Sequence, residues 1–238
     1  AVDWKTLDKE TDRLAGDYGE WAGRCYTILT KSKTYVPLTP NPVQKLIGAD
    51  ESRQMRETGQ VRQFILKARQ GGVATDQQAR ALDLIWGKKG ATAMTLADNR
   101  ENTDILFGIT QRAIEHFPPA LLPRLGDAQT REVTFPGRDS RFWTGTAGAK
   151  TAGKRGPTLD RLHFSEFAFA DDPITILGAI TPALVPKGSA IVLETTGGGH
   201  GSEAHDFWKR AKAGKTSYRA LFYPWWECDF LHYRMLLL

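Results

Sequence analysis

The sequence contains little that would indicate a secreted protein, a cysteine-ligated metal site or a membrane-spanning segment. Its 238 residues include only two cysteines, Cys25 and Cys228. They lie far apart and form neither a CxxC pair nor a metal-ligand spacing, so reduced thiols in the cytoplasm are expected. No apolar run approaches the roughly 20 residues needed to cross a bilayer, so no membrane partner is expected. The sequence also lacks internal repeats and low-complexity segments, which argues against a solenoid or a fibrous protein.

A strong excess of either charge is absent as well. The chain carries 32 Lys and Arg against 27 Asp and Glu, a formal net charge of +5 at pH 7. This excess permits a polyanionic partner, because basic side chains that neutralise phosphates release counterions, but it does not require one. At 41% hydrophobic, the chain is long enough to bury one substantial core. One large α/β domain, with or without a small appendage, is therefore predicted.

Short apolar runs alternate along the chain with segments of helical periodicity. This alternation predicts βαβ units and a mostly parallel sheet with helices on both faces. Ligands of such sheets bind beyond the carboxyl ends of the strands, so the chemistry is expected in the segments that follow the strands. Strands are predicted at residues 61–66, 91–96, 131–135, 141–144, 162–164, 190–193 and 218–223, helices at 3–17, 43–56, 75–86, 102–117, 173–183 and 202–212, and a proline-rich extended segment at 35–42.

The segment after the strand predicted at residues 61–66 has the composition of a phosphate-binding loop. Backbone amides of such a loop, together with the N-terminus of the following helix, can surround phosphate oxygens. Two adjacent glycines permit positive φ angles and a close approach of the backbone to an anion. The predicted nucleotide-binding residues in this segment are Lys67, Ala68, Arg69, Gln70, Gly71, Gly72, Val73, Ala74 and Thr75.

This loop departs from the usual pattern G-x-x-x-x-G-K-[ST]. Gly72 matches the second glycine, but Val73 stands at the lysine position and Ala74 at the Ser or Thr position. Lys67 at the front of the loop can supply the missing charge, because neutralising a phosphate does not require one sequence position. Thr75 then offers the hydroxyl for Mg²⁺. Taken alone, the segment is also compatible with an ordinary strand-to-helix turn that contains basic residues.

A second chemical signal is a carboxylate at the end of a buried strand. The strand predicted at residues 162–164 runs into Ser165 and Glu166. In additional-strand P-loop ATPases the corresponding strand ends in Asp-Glu, where the Asp assists Mg²⁺ and the Glu activates the attacking water. Glu166 is therefore the candidate general base, and Ser165 and Glu166 join Thr75 as predicted metal-site residues. The alternative is a glutamate at the exposed end of a strand, with no catalytic role.

A third segment combines hydroxyl groups with glycines. Thr195, Thr196 and Gly197 follow the strand predicted at residues 190–193. Hydroxyl groups at this position can sense the γ-phosphate, and the glycines allow the backbone to flex afterwards. These three residues are therefore predicted to couple hydrolysis to movement. A glycine-rich loop without any nucleotide contact is the alternative for this segment in isolation.

In this order, the three segments resemble the ATPase domain of viral terminase large subunits. Some members of that family have the loop lysine displaced to the front, as Lys67 is, and Ser-Glu is frequent in their acidic Walker B motif. The coupling segment around Thr195 resembles the corresponding motif of terminases and of helicases. The resemblance extends from about residue 36 to residue 226. Single motifs are degenerate, but the ordered set is specific.

The resemblance assigns roles to residues outside these segments. Terminases carry Arg-Gly shortly before Walker B, and Arg155 with Gly156 matches it, so Arg155 is a candidate arginine finger. Arg69 is the rival for that role, and contact with DNA phosphates is the alternative role for Arg155. Gln44 resembles the glutamine that contacts adenine, although a plain helix start would also explain it. Residues 224–226 resemble a Pro-Trp-Trp stretch near the end of terminase ATPase domains.

The resemblance implies an additional-strand, RecA-like P-loop NTPase with ATP and Mg²⁺ as cofactors. It divides the chain into an N-terminal helical appendage (residues 1–34), the ATPase domain (35–226) and the start of a linker (227–238) towards a nuclease domain that this chain lacks. The implied partners are double-stranded DNA, a portal protein, a small terminase subunit and further copies in a homo-oligomeric ring on a procapsid in the host cytoplasm. A helicase-like P-loop ATPase and a catalytically silent DNA-binding module are the alternatives.

Overall fold

The computed structural model describes residues 16–127, 129–148 and 158–227, together with residues 9, 13 and 14. Its helices are α1 (Tyr18–Cys25), α2 (Pro42–Thr58), α3 (Val73–Gly87), α4 (Arg100–Glu115), α5 (Pro173–Ile180) and α6 (Glu203–Lys212). Its strands are β1 (Thr27–Leu29), β2 (Tyr35–Pro37), β3 (Val61–Lys67), β4 (Thr92–Ala97), β5 (Glu132–Phe135), β6 (Ser140–Thr146), β7 (Arg161–Ser165), β8 (Ala190–Thr195) and β9 (Arg219–Tyr223).

A seven-stranded sheet with the order β5-β6-β4-β7-β8-β3-β9 forms the centre of the fold. All neighbouring pairs are parallel except β5 with β6, which are antiparallel at one edge. β8 lies between β3, which leads into the glycine loop, and β7, which leads to Glu166. The predicted α/β class, with a mostly parallel sheet flanked by helices in the additional-strand, RecA-like arrangement, is confirmed.

Helices cover both faces of this sheet because the buried strands are apolar on both sides. Phe64 packs in a cluster with residues of α5 and α6, whereas the next residue, Ile65, packs with residues of α2 and α3. Successive side chains of a strand point to opposite faces, so the two clusters lie on opposite sides of the sheet. A third cluster joins α3 and α4 to β4 and β6.

Residues before the predicted extended segment contribute to the same core in two elements, α1 and β1, that the sequence analysis did not predict. Asp17 accepts a hydrogen bond from the amide of Glu20 and so caps α1. Trp21 of this helix is fully buried, and its ring lies 6.1 Å from the ring of Trp86 in α3. β1 and β2 form a separate two-stranded antiparallel sheet. The helix predicted at residues 3–17 falls largely outside the described residues, and the domain boundaries, including the one at residue 34, remain a prediction.

Element boundaries differ from the sequence predictions mainly where a helix meets a turn. α3 begins at residue 73, two residues earlier than predicted, because Gly72 adopts a left-handed conformation (φ 75°) and starts the helix there. The helix predicted at residues 173–183 ends at Ile180, and residues 181–183 continue as a 3₁₀ turn. Pro182 explains this difference, since its ring lacks the amide hydrogen that an α-helix requires. No helix in the described part of the chain is both long and apolar enough to cross a membrane.

Candidate nucleotide-binding site

The ends of β3, β7 and β8 bring the predicted chemical groups together at the carboxyl edge of the sheet. Lys67 is the last residue of β3, and Glu166 follows the last residue of β7. The Lys67 Nζ atom lies 3.0 Å from Glu166 Oε1 and donates a hydrogen bond to it. Thr195 and Thr196 lie at the end of β8, the strand that separates β3 from β7 in the sheet. The structure thus joins three segments that the sequence analysis had singled out separately.

Lys67 is held by two carboxylates. Besides Glu166, its Nζ lies 3.0 Å from Oε2 of Glu194, and its side chain is only 10% exposed. Burial by itself lowers the pKa of Lys67, but the charges of Glu194 and Glu166 outweigh that effect and raise the pKa above its usual value. The ammonium therefore stays charged at neutral pH. Its residue directly precedes the glycine loop.

Glu166 is fixed by its backbone as well as by its side chain. The residue adopts a left-handed conformation, with φ 50°, which is uncommon for a residue with a Cβ atom and often occurs at functional sites. Its Oε2 atom accepts hydrogen bonds from the amide of Thr196 at 3.1 Å and from the hydroxyl of Thr196 at 3.2 Å. The Oγ1 atom of Thr195 accepts a hydrogen bond from the amide of Ala168 at 3.3 Å. The candidate base and the coupling segment are therefore directly connected.

Glu194 is a member of this site that the sequence analysis missed. Its side chain is fully buried, and its Oε1 atom accepts a hydrogen bond from the Ser165 hydroxyl at 2.6 Å. Burial would raise the pKa of Glu194, but His163, Lys67 and Ser165 lower it to about 2, so the group is a carboxylate. The available signal was an acidic residue directly after the strand predicted at residues 190–193 and before two threonines, which is the same reasoning that identified Glu166.

The glycine loop is braced from α2. Asn41 and Gln44 form a capping box at the start of that helix, and both side chains also reach the loop. Asn41 donates to the carbonyl of Gly71 at 3.1 Å, and Gln44 donates to the carbonyl of Gly72 at 2.8 Å. A Cβ atom on Gly72 would lie 2.9 Å from the Gln44 amide nitrogen. The φ angle of 75° favours glycine at position 72, and a Cβ atom there would also push the Gln44 amide away from the loop.

The start of α3 leaves its first amides without a side-chain cap. Among the described residues, no side chain hydrogen-bonds to the N-terminus of this helix, which starts at Gly72. The first amides of a helix have no partner within the helix and carry partial positive charge. An anion can therefore bind to the amides of Val73, Ala74 and Thr75 without displacing a capping group.

The remaining predicted residues of the loop differ in exposure. Arg69 and Gln70 are exposed, and Gln70 adopts a left-handed conformation and accepts a hydrogen bond from Lys31. The amide of Ala68 donates to the carbonyl of Tyr223 on β9 at 2.9 Å. Both polar ends of Gln44, the predicted adenine contact, are engaged within the protein. The candidate finger Arg155 lies outside the described residues.

A largely apolar cavity of about 390 Å³ adjoins the coupling segment. Its lining includes Thr195, Thr196 and Gly197, together with Trp208 of α6 and Phe222 of β9. The rings of Trp208 and Phe222 are in edge-to-face contact, with centroids 6.4 Å apart. The coupling segment thus both hydrogen-bonds to Glu166 and borders a cavity.

Comparison with known proteins gives matches only at the level of three-dimensional structure. No protein-family model matches the chain, and no curated protein matches it. The large terminase of bacteriophage HK97 superimposes with a TM-score of 0.68 at 14% identity, over 89% of this chain and 43% of that one. The ATPase domain of the Thermus phage P74-26 large terminase gives 0.51 at 17% identity, over 84% and 94%, respectively.

A third similar structure is the large terminase of a thermophilic bacteriophage in complex with ADP. It superimposes with a TM-score of 0.52 at 12% identity, over 69% of this chain and 40% of that one. The chain therefore spans less than half the length of the HK97 protein and of this ADP-bound terminase, but its match covers nearly all of the P74-26 ATPase domain. The chain has the fold of the ATPase domain of phage large terminases.

Proposed function

We propose that this chain is the ATP-hydrolysing part of a viral DNA-packaging motor, the ATPase domain of a large terminase. The observation that carries the proposal is the contact of Lys67 with Glu166, at the mouth of a glycine loop and beside Thr196. A phosphate-binding cation, a candidate base and a hydroxyl-bearing coupling segment are the groups that a phosphoryl-transfer motor needs in one place. The shared fold with phage large terminases supports the same reading.

The phosphates of ATP would bind to the loop through charge and backbone amides together. Lys67 neutralises the terminal phosphates, and the amides of Gly71, Gly72 and Val73 surround them. Arg69 is exposed at the same loop and adds positive charge. When the phosphates bind, they compete with Glu166 for the ammonium of Lys67. Nucleotide binding would therefore release the carboxylate that has to orient the attacking water.

A magnesium ion would accompany the nucleotide, supplying positive charge against the phosphate oxygens. No group of three or more His, Cys, Asp or Glu side chains in the described residues could hold a metal by itself. This sparse donor set fits Mg²⁺, which commonly keeps several waters and binds through one or two protein groups plus the substrate phosphates. We propose that the hydroxyl groups of Thr75 and Ser165 and the carboxylate of Glu166 are the nearby donors.

The coupling step would use the bonds between Glu166 and Thr196. Any movement of the Glu166 carboxylate towards water must lengthen or break the two hydrogen bonds from Thr196, which start at 3.1 and 3.2 Å. The adjacent apolar cavity gives the segment room to move. We propose that this movement is transmitted to the surface that grips double-stranded DNA, in a ring of copies assembled on a portal, with a small terminase subunit as a further partner.

ATP turnover of substituted proteins tests this proposal. Lys67→Ala and Glu166→Gln should each reduce turnover by about 10²- to 10⁴-fold, because one removes phosphate neutralisation and the other the base. Lys89→Ala and Glu57→Gln are matched controls, since both side chains are exposed and belong to segments that precede β4 and β3, whereas the site follows the strands. Equal turnover in all five proteins would contradict the proposal. Negligible turnover in all five, at concentrations that permit assembly, would favour a silent DNA-binding module.

The choice of nucleic acid distinguishes a packaging motor from a helicase-like ATPase. Both enzymes would share the site, so loss of turnover in the two variants does not separate them. Stimulation of turnover by double-stranded DNA, without strand separation, is the result expected for a packaging motor. Stimulation by single-stranded DNA together with strand separation would overturn the packaging assignment and leave the ATPase assignment intact.

A further inference from the structure

The charged groups at the carboxyl edge do not balance. Lys67 contributes one positive charge and lies within 3.0 Å of two carboxylates, Glu166 and Glu194. The two carboxylates thus outnumber the ammonium by one, in a site that has to accept the phosphates of a nucleotide. Hydrogen bonds from Ser165 and Thr196 compensate the carboxylates in part. A further cation would offset the remaining negative charge when the phosphates of a nucleotide are bound.

Glu194 stands beside the position where the acidic strand lacks its usual aspartate. Ser165 of β7 and Glu194 of β8 are paired in register, and the serine hydroxyl lies 2.6 Å from the glutamate carboxylate. In-register residues of parallel neighbours point to the same face of a sheet. On that face Val192, two residues before Glu194, belongs to the hydrophobic cluster that includes Val73 at the start of α3. The carboxylate of Glu194 thus lies on the sheet face that the phosphate-loop helix covers.

The buried atoms at this position are not all satisfied within the described part of the chain. Oε2 of Glu194 is paired with Lys67 Nζ at 3.0 Å and has no second partner there. His163 Nε2 is without a hydrogen bond there, and it lies 3.6 Å from Glu194 Oε1, beyond hydrogen-bonding distance. Both side chains are buried. Unsatisfied buried polar atoms are few in native proteins, and each indicates a water, an ion or a functional role.

We propose that Glu194 supplies from the neighbouring strand the carboxylate that Ser165 lacks, and that it holds the water shell of the Mg²⁺ ion that accompanies the nucleotide. This inference rests on the proposed function, because it concerns the same nucleotide site. The Glu194 carboxylate lies beside the Ser165 hydroxyl, so a negative charge is present next to position 165 although serine is neutral. Ser165 acts as a positioning residue, since its hydroxyl fixes Oε1 of Glu194 and leaves Oε2 beside the ammonium of Lys67.

The alternative role of Glu194 is that of a structural counter-ion for Lys67. The two roles predict different dependences on metal. A counter-ion for Lys67 affects ADP binding by the same factor whether or not Mg²⁺ is present. A carboxylate that holds metal-bound water affects only the gain in ADP affinity that Mg²⁺ produces, and leaves the affinity measured without metal unchanged.

The experiment measures the dissociation constant for ADP by calorimetry, with Mg²⁺ and with EDTA, for the wild type and Glu194→Gln. Mn²⁺ binding to the ADP complexes, followed by electron paramagnetic resonance, gives a readout independent of turnover. We expect the gain in affinity from Mg²⁺ to fall by about 10- to 100-fold in Glu194→Gln, as for other residues that orient metal ligands. ADP affinity in EDTA should change much less.

A second variant returns the carboxylate to the acidic strand. Glu194→Gln combined with Ser165→Asp keeps one carboxylate in the register pair and should recover most of the dependence on Mg²⁺. It also guards against a mere folding defect in the single variant. An unchanged Mg²⁺ effect in Glu194→Gln, or no recovery in the double variant, would overturn the inference. Absence of ADP binding by the folded wild type, with or without metal, would instead overturn the proposed function.

Discussion

Lys67 and Glu166 are 99 residues apart in the sequence, yet the ammonium of one donates to the carboxylate of the other at 3.0 Å. Under the proposed function, this contact would link two steps of the hydrolytic cycle. While the pair is intact, the ammonium of Lys67 and the carboxylate of Glu166 engage each other. Nucleotide phosphates would have to separate the pair before Glu166 could orient water, so binding would precede activation of the base.

Removing the ammonium of Lys67 should destabilise the fold and should also reduce the proposed ATPase activity. Lys67→Met leaves Glu194 buried without its counter-ion, and breaking a buried ion pair costs about 3–5 kcal/mol of the free energy of unfolding. Urea denaturation at neutral pH measures this loss. Lys67→Met combined with Glu194→Gln should recover part of it, because the unpaired charge is then absent. A double variant less stable than Lys67→Met would show that the pair is not coupled in this way.

Glu166→Gln should separate binding from hydrolysis. The amide keeps the shape of the side chain and can still accept the hydrogen bonds from Thr196, but it cannot take a proton. We expect turnover to fall by about 10²- to 10⁴-fold, with ADP affinity equal to or tighter than that of the wild type, since Lys67 loses one competing carboxylate. Calorimetry and a phosphate-release assay measure the two quantities. Weaker ADP binding together with retained turnover would contradict the assignment of Glu166 as the base.

The brace between α2 and the glycine loop should matter for the nucleotide and not only for stability. Asn41→Ala removes the cap of α2 and the bond to the Gly71 carbonyl, whereas Asn99→Ala removes the cap of α4. Each substitution should cost about 1 kcal/mol of the free energy of unfolding. Only Asn41→Ala should also weaken ADP binding, because the loop loses its support. Equal ADP affinities of the two variants would mean that the brace has no influence on the loop.

Asp83 gives the protein a predictable dependence on pH. Burial raises the pKa of this partly buried carboxyl to about 7, although Arg80 and Arg161 lower it. Between about pH 4 and pH 7 the folded state then binds more protons than the unfolded state, in which the pKa is about 3.9. The contribution of this group to the free energy of unfolding is therefore present at low pH and is lost as the pH rises to about 7. Above that pH the free energy of unfolding no longer changes through this group.

Asp83→Asn should remove this dependence. The variant should unfold with a free energy about 1–2 kcal/mol higher than the wild type at pH 8, an amount reduced from the full pKa shift because the group is partly exposed to solvent. The difference should shrink towards pH 5. Urea denaturation at both pH values measures it. A variant less stable than the wild type at pH 8 would contradict the raised pKa.

The sequence was informative where a residue's role depends on its place after a strand. Parallel strands end at a common edge, so Lys67 and Glu166 could be expected near each other from the order of the elements alone. The sequence was uninformative about which side chains become buried together. In the sequence, Glu194 is one polar residue among several before a glycine loop. Only the pairing of β7 with β8 places its carboxylate beside Ser165.

The N-terminal elements show the same limit of local reasoning. α1 is short, and it is stabilised by the packing of Trp21 against Trp86, which is 65 residues further along the chain. β1 has only three residues and pairs with β2 alone. Neither element has a long periodic pattern, so tertiary contacts rather than local propensity determine them. The pairing of Gln44 with the Gly72 carbonyl is likewise a contact between distant segments.

A crystal structure with Mg²⁺ and a non-hydrolysable ATP analogue would test the central claim most directly. We predict that the ammonium of Lys67 lies about 3 Å from an oxygen of the terminal phosphates. We predict also that it has separated from Glu166, whose carboxylate then faces a water in line with the γ-phosphorus. An analogue bound away from the glycine loop, or bound there with the pair of Lys67 and Glu166 still intact, would contradict the account.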